Sequence, residues 1–145
     1  MRISERTKSA VLLCLGLLLS SCEQGEPKVP GRWYTQSQVE LGKKVYTENC
    51  ISCHNENGRG TFSWKQTLPD GSYPPPPLDA SAHAWHHPLS ILKKVISEGG
   101  IPLGGKMPAF GGKLNENEKL AVISYFQSFW PDEIYQEWLK RGGTN

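Results

Sequence analysis

Two cysteines three positions apart, with a histidine directly after the second, constrain this chain more than any other feature: Cys50-Ile-Ser-Cys53-His54. On a helical turn the two sulfurs lie on one side and the imidazole follows on the next residue. A zinc site built on such a pair needs four ligands, and the sequence offers no second cysteine pair to complete it. A thioredoxin-like redox pair sits beside a βαβ pattern, which this chain lacks.

The spacing fits a third chemistry. C-x-x-C-H attaches a haem: the two thiols bond its vinyl groups and the following imidazole points at the iron. The other cysteines agree with an exported protein. Residues 1–21 place Arg2, Arg6 and Lys8 before the apolar run 10–19, which reads as an export signal too short to serve as a permanent membrane helix. Leu19-Ser20-Ser21-Cys22 resembles the lipobox of bacterial lipoproteins, which implies that Cys22 is lipidated and becomes the first mature residue. Acyl chains bury roughly 0.8 kcal/mol per methylene in a bilayer, so two or more hold a domain firmly. With Cys14 leaving in the signal and Cys22 carrying lipid, only Cys50 and Cys53 remain, and no thiol is left for a structural disulfide. A small domain without disulfides needs another source of core, which a tethered cofactor supplies.

The chain has 16 basic and 14 acidic residues; removing residues 1–21 takes away Arg2, Arg6, Lys8 and Glu5 and leaves a formally neutral protein. That balance argues against nucleic-acid binding, which would show a basic excess. Residues 22–36, polar and broken by Pro27, Pro30 and Gly31, read as a flexible tether. Residues 37–145 then form one domain.

Within that domain the apolar spacing is helical. Val39, Gly42 and Tyr46 predict a helix over 37–49, in which a glycine costs about 1 kcal/mol against alanine and implies a close helix contact. Residues 55–78, with Gly58, Gly60, Gly71 and the run Pro74 to Pro77, predict a loop wrapped over something. Leu89, Leu92, Val95 and Ile96 share a face that starts at Pro88 and stops at Gly99-Gly100. Asn115 and Glu118 form a capping pair, and Val122, Tyr125, Phe126, Phe129 and Trp130 continue on one face up to Pro131. A last helix over about 132–141 would set Tyr135, Trp138 and Leu139 against the body. The expected fold is all-α, with three to five short helices.

From about residue 37 to 130 the chain resembles a class I, single-haem cytochrome c. The matching elements are Gly42 and Tyr46 ahead of the attachment motif, Lys106-Met107-Pro108-Ala109-Phe110, and the aromatic C-terminal helix. The resemblance implies that the first and last helices cross at Gly42, that Met107 is the second axial ligand beside His54, and that a carbonyl of Pro75-Pro76-Pro77-Leu78, best matched by Pro76, orients His54. It further implies that Lys43, Lys44, Lys93, Lys94, Lys106 and Lys113 gather where the haem edge emerges; Trp85, in the segment 82–88 that departs from the simplest family pattern, and Trp64 read as walls of the haem. His/Met ligation closes both axial positions and favours outer-sphere electron transfer. The function expected is therefore that of an electron carrier rather than an enzyme, periplasmic and lipid-anchored, serving an oxidase, reductase or dehydrogenase. Two alternatives stay open: a haem protein that binds or transforms a small molecule at a vacant iron position, and copper handling through His83, His86 and His87.

Overall fold

The computed structural model describes residues 25–145; the proposed signal and Cys22 lie outside them. Five helices carry the fold: α1 (Gln36–Asn49), α2 (Ile51–His54), α3 (Leu89–Glu98), α4 (Glu116–Gln127) and α5 (Asp132–Lys140). Among the described residues there is no strand, only an isolated antiparallel bridge between Lys28 and Thr35. The all-α expectation holds.

The centre of the molecule is the crossing of α1 and α4. Gly42 lies so near α4 that a Cβ there would stand 1.9 Å from the Ala121 carbonyl oxygen. Tyr46 and Tyr125 meet one turn further on, their ring centroids 5.2 Å apart. Both helices begin with reciprocal capping boxes, Thr35 with Gln38 and Asn115 with Glu118, which satisfy amide groups that a helix start leaves without partners. Ala121, Ile123, Ser124 and Gln127 are fully buried, so α4 is enclosed on nearly all sides.

Two expectations need correction. The final long helix stops at Gln127 instead of running to Trp130, because Phe129 N and Trp130 N turn to Phe126 O (3.2 Å) and Gln127 O (3.1 Å). These i→i+3 bonds tighten the chain ahead of Pro131, whose ring disfavours helical geometry in the residue before it. The tether expected over 22–36 is also too long. Tyr34 is buried, Trp33 Nε1 donates to Gln127 Oε1 at 2.6 Å and Trp33 N donates to Tyr135 Oη at 2.9 Å. Arg32 lies over the Tyr135 ring and pairs with Asp132 at 2.5 Å. Residues 28–35 are thus a strap laid across α4 and α5, fixed by aromatic and hydrogen-bonding side chains that a loose linker would not need.

The C-terminal end closes the other side. Leu89 N donates to Gly143 O (2.7 Å) and Ser90 N to Asn145 O (3.2 Å), so tail carbonyls serve the first amides of α3. Trp138 Nε1 donates to His87 O at 2.8 Å, joining α5 to the segment that leads into α3.

Candidate functional site

Cys50, Cys53 and His54 sit on the junction of α1 and α2. Cys50 ends the first helix and opens the second, and its amide still bonds to Tyr46 O at 2.8 Å. The thiols are unbridged, Cys50 half-buried and Cys53 exposed. Burial pushes the Cys50 thiol up to about 11; Cys53 adds to the rise and Lys113 opposes it. A protonated, shielded thiol is a poor nucleophile for disulfide exchange, which weighs against the redox-pair reading.

His54 is buried, and its Nδ1 stands 2.9 Å from Pro76 O. A carbonyl oxygen only accepts, so Nδ1 carries the proton and donates, and Nε2 keeps a free lone pair. Burial lowers the pKa of this imidazole, while the bond to Pro76 opposes the shift, so the neutral ring that a metal ligand requires is favoured.

The partner carbonyl belongs to a rigid segment. Thr61 N donates to Pro75 O (2.9 Å), Leu78 N to Gly58 O (2.6 Å), and Gly60 N to His54 O (2.7 Å). At Gly60 the backbone has φ +56, and a Cβ would stand 2.4 Å from the Pro76 carbonyl carbon. Only glycine combines that conformation with so close an approach. Tyr46 Oη donates to Asn55 O at 2.7 Å, so α1 also holds the turn that follows the histidine.

Met107 lies beyond α3. Gly100 N donates to its carbonyl at 2.9 Å, and Phe110 N donates to Ile96 O at 2.9 Å, tying the loop to the end of that helix. Gly99, at φ +82, would bring a Cβ to 2.7 Å from Met107 O. The thioether side chain is half-buried and lies against the same apolar core as Cys50, Leu78 and Trp85.

The donor set suits the haem that the motif implies: two free thiols, an imidazole with one nitrogen fixed and the other open, and a thioether. The distribution of apolar surface suits it as well. Phe62, Leu68, Tyr73, Ile101 and Leu103 are exposed large apolar side chains, all in the loops before and after α3; among the described residues only Ile91 joins them from elsewhere. The two loops are tied by Tyr73 N donating to Gly104 O (2.8 Å) and by an ion pair between Lys106 and Asp70. A flat apolar group held between them would shield surface that the polypeptide leaves open to water.

Other expected residues divide. Trp85 reaches the core, stacks on His86 at 3.9 Å and carries Arg141 over its ring at 5.2 Å. Trp64 lies instead against His83, ring centroids 5.0 Å apart and planes tilted by 35°, with Lys65 Nζ over the indole ring at 5.3 Å. The three histidines do not converge: His83 meets His87 edge-on at 5.6 Å while His86 turns to Trp85. Among the described residues no group of three or more His, Cys, Asp or Glu is arranged to hold a metal ion, so the copper reading loses its site. Of the six lysines expected at one edge, Lys93, Lys94 and Lys106 are paired with Glu116, Glu98 and Asp70. Gly60 and Trp130, whose Nε1 donates to Leu78 O at 2.8 Å, are the site residues that sequence reasoning missed. A glycine beside the motif and a tryptophan just before a proline were the available signals.

Comparison with known proteins adds to this geometry. Residues 37–126 match the family model described as cytochrome c oxidase, cbb3-type, subunit III. The gluconate 2-dehydrogenase cytochrome c subunit of Pantoea cypripedii is 26% identical over 97 residues, covering 63% of this chain and 20% of that protein. The chain therefore spans about a fifth of that relative. No solved structure gives a significant match. The family match runs from α1 to α4 and leaves the strap and α5 outside it.

Proposed function

The chain belongs to the cytochrome c family, through the domain described for subunit III of cbb3-type cytochrome c oxidase, and from that premise we propose that it is an electron carrier with one covalent haem c. Bound haem supplies a one-electron change at iron. The rest is the work of this chain's residues. Cys50 and Cys53 would hold the group through thioethers, and His54 Nε2 and the Met107 thioether would ligate its iron. With both of these ligands supplied by the protein, small molecules would be kept from the metal, which would favour electron transfer over substrate chemistry.

The observation that carries the reading is the bond from His54 Nδ1 to Pro76 O at 2.9 Å, directly after two unbridged thiols. It fixes the tautomer and aims the free nitrogen as a ligating histidine requires.

Residues 1–21 would direct export and Cys22 would carry the lipid, which sets the domain on the periplasmic side of a membrane. Glu26 is already fixed to the start of α1, its carboxylate accepting from Ser37 N at 3.1 Å, so the ordered domain begins within a few residues of Cys22 in sequence. A partner must then come close to the same bilayer. The matching family is named for an oxidase and the Pantoea cypripedii relative for a dehydrogenase, and redox proteins of these classes are the partners we propose.

Absorption spectra of the purified protein, oxidised and reduced, with its intact mass, test this. A porphyrin mass that survives denaturation, the weak near-infrared band of iron bound to thioether sulfur, and no carbon monoxide binding by the reduced protein are expected. Met107→Ala should lower the potential and admit carbon monoxide. Rapid stoichiometric binding by the unaltered protein would replace the carrier reading with that of a ligand-binding haem protein.

A further inference from the structure

The proline segment facing His54 is held from two sides. From within, Gly58 and Thr61 bond to Leu78 N and Pro75 O, and Gly60 leaves no room for the Pro76-Pro77 peptide to sink. From without, Trp130 Nε1 donates to Leu78 O at 2.8 Å. Trp130 is almost wholly buried and cannot drift: its ring meets Phe126 at 6.2 Å, Trp138 at 5.9 Å and Tyr135 at 6.4 Å. The strap completes the enclosure, with Arg32 over Tyr135 and its Nη2 3.4 Å from Trp130 O.

Between the Leu78 carbonyl and the Pro76 carbonyl stands Pro77, whose φ is locked by its ring. Of the four torsions between the two carbonyls the ring fixes one, and the bond from Leu78 N to Gly58 O at 2.6 Å restrains the peptide between them, so a shift of the Leu78 carbonyl is felt at Pro76. We infer that Trp130 is a positioning residue for the axial histidine, acting through the Leu78 carbonyl to keep Pro76 O on His54 Nδ1. The inference rests on the proposed role of His54 as iron ligand. An imidazole that donates Nδ1–H to a well-placed carbonyl becomes a more basic ligand and favours the ferric state. Loss of the indole donor leaves Leu78 O without its partner, loosens the segment and favours the ferrous state. Residues outside the family-matched stretch would thus set the electron affinity of the centre.

Trp138 supplies the control, since it sits in the same enclosure and makes the same kind of bond at 2.8 Å, but to His87 O. In holoprotein, Trp130→Phe should shift the ferric–ferrous equilibrium toward ferrous by about threefold to tenfold, tenfold being about 59 mV for one electron. It should also speed solvent exchange of the His54 Nδ1 proton observed by nuclear magnetic resonance. Trp138→Phe should change neither. Should Trp130→Phe not yield folded holoprotein, benzothienylalanine at position 130 keeps the bicyclic shape without the N–H, and the same shift is expected. An unchanged potential in that comparison, or an equal shift in Trp138→Phe, overturns the inference. A His54→Ala protein that retains the unaltered spectrum overturns the ligand reading beneath it.

Discussion

The α1–α4 crossing and the cradle around His54 are neighbours built by different means. At the crossing, two helices meet backbone to backbone at Gly42 and Ala121, with Tyr46, Val122, Tyr125 and Phe126 around the contact. Dispersion and burial hold such a contact, and both are spread over many atoms. The cradle has little core of its own. It is held by single hydrogen bonds between residues far apart in sequence, His54 with Pro76 and Leu78 with Trp130, while Phe62, Leu68 and Tyr73 remain exposed nearby. The crossing supplies stability, and the cradle supplies the orientation of one imidazole. Damage to each should therefore register in different measurements.

The largest effect on folding is expected from Gly42→Val. A Cβ already falls 1.9 Å from Ala121 O, so the helices must separate along their length. Overpacking of this kind costs about 3 kcal/mol or more. Denaturant unfolding of the holoprotein should show that loss, while the haem spectrum of the surviving folded fraction stays near that of the parent. A midpoint within experimental scatter of the parent would mean that the crossing is not the principal support.

Gly60→Ala reverses the emphasis. The substitution places a Cβ 2.4 Å from Pro76 C at a residue with φ +56. Strain and displacement together should cost about 1–3 kcal/mol, less than the damage at the crossing. Its mark should be on the site, because moving the Pro76 carbonyl weakens its bond to His54. A reduction potential that rises in Gly60→Ala and stays fixed in Gly42→Val would sharpen the contrast between the regions. Equal potentials in all three proteins would break it.

The same contrast explains what could be read from the chain before folding. Gly42 and Tyr46, the run from Val122 to Phe126, and the pair Asn115 with Glu118 declare themselves through helical period and capping chemistry, so the helices were legible to within a few residues. The motif at residues 50–54 was legible because covalent attachment demands a fixed spacing. The strap was missed because Pro27, Pro30 and Gly31 signal a linker, whereas the order comes from tertiary bonds of Trp33 and Arg32 to α4 and α5. By helical period alone, Trp130 is one more apolar residue on the face that runs from Val122 up to Pro131. Its bond to a carbonyl 52 residues away leaves no local trace in the sequence.

A smaller effect follows from the caps. Asn115 Oδ1 accepts from Glu118 N at 2.9 Å, and Asn115→Ala should cost about 1 kcal/mol by leaving that amide without its partner. The loss belongs to the crossing alone, so unfolding should shift while the potential does not. A changed potential would show that the start of α4 is coupled to the cradle.

The smallest effect lies at the α3–α4 contact. The Glu116 carboxyl is drawn down to about 2 by hydrogen bonds first from Lys119 and then from Lys93, the latter at 2.8 Å. Its folded pKa lies below the ordinary value, so the stabilisation is complete above that ordinary value and disappears as the pH falls through about 2. Glu116 is exposed, so solvent and salt screen much of the interaction. Lys119, by contrast, is buried and keeps Ser97 Oγ at 3.0 Å even if the carboxylate is lost. Glu116→Gln should therefore unfold slightly more easily than the parent at pH 7 in low salt, with the gap narrowing in high salt and closing near pH 2. The site should not respond, since neither lysine bonds to the proline segment. Urea midpoints at those two pH values decide the matter: a gap that persists near pH 2 would show that Glu116 acts through packing rather than charge.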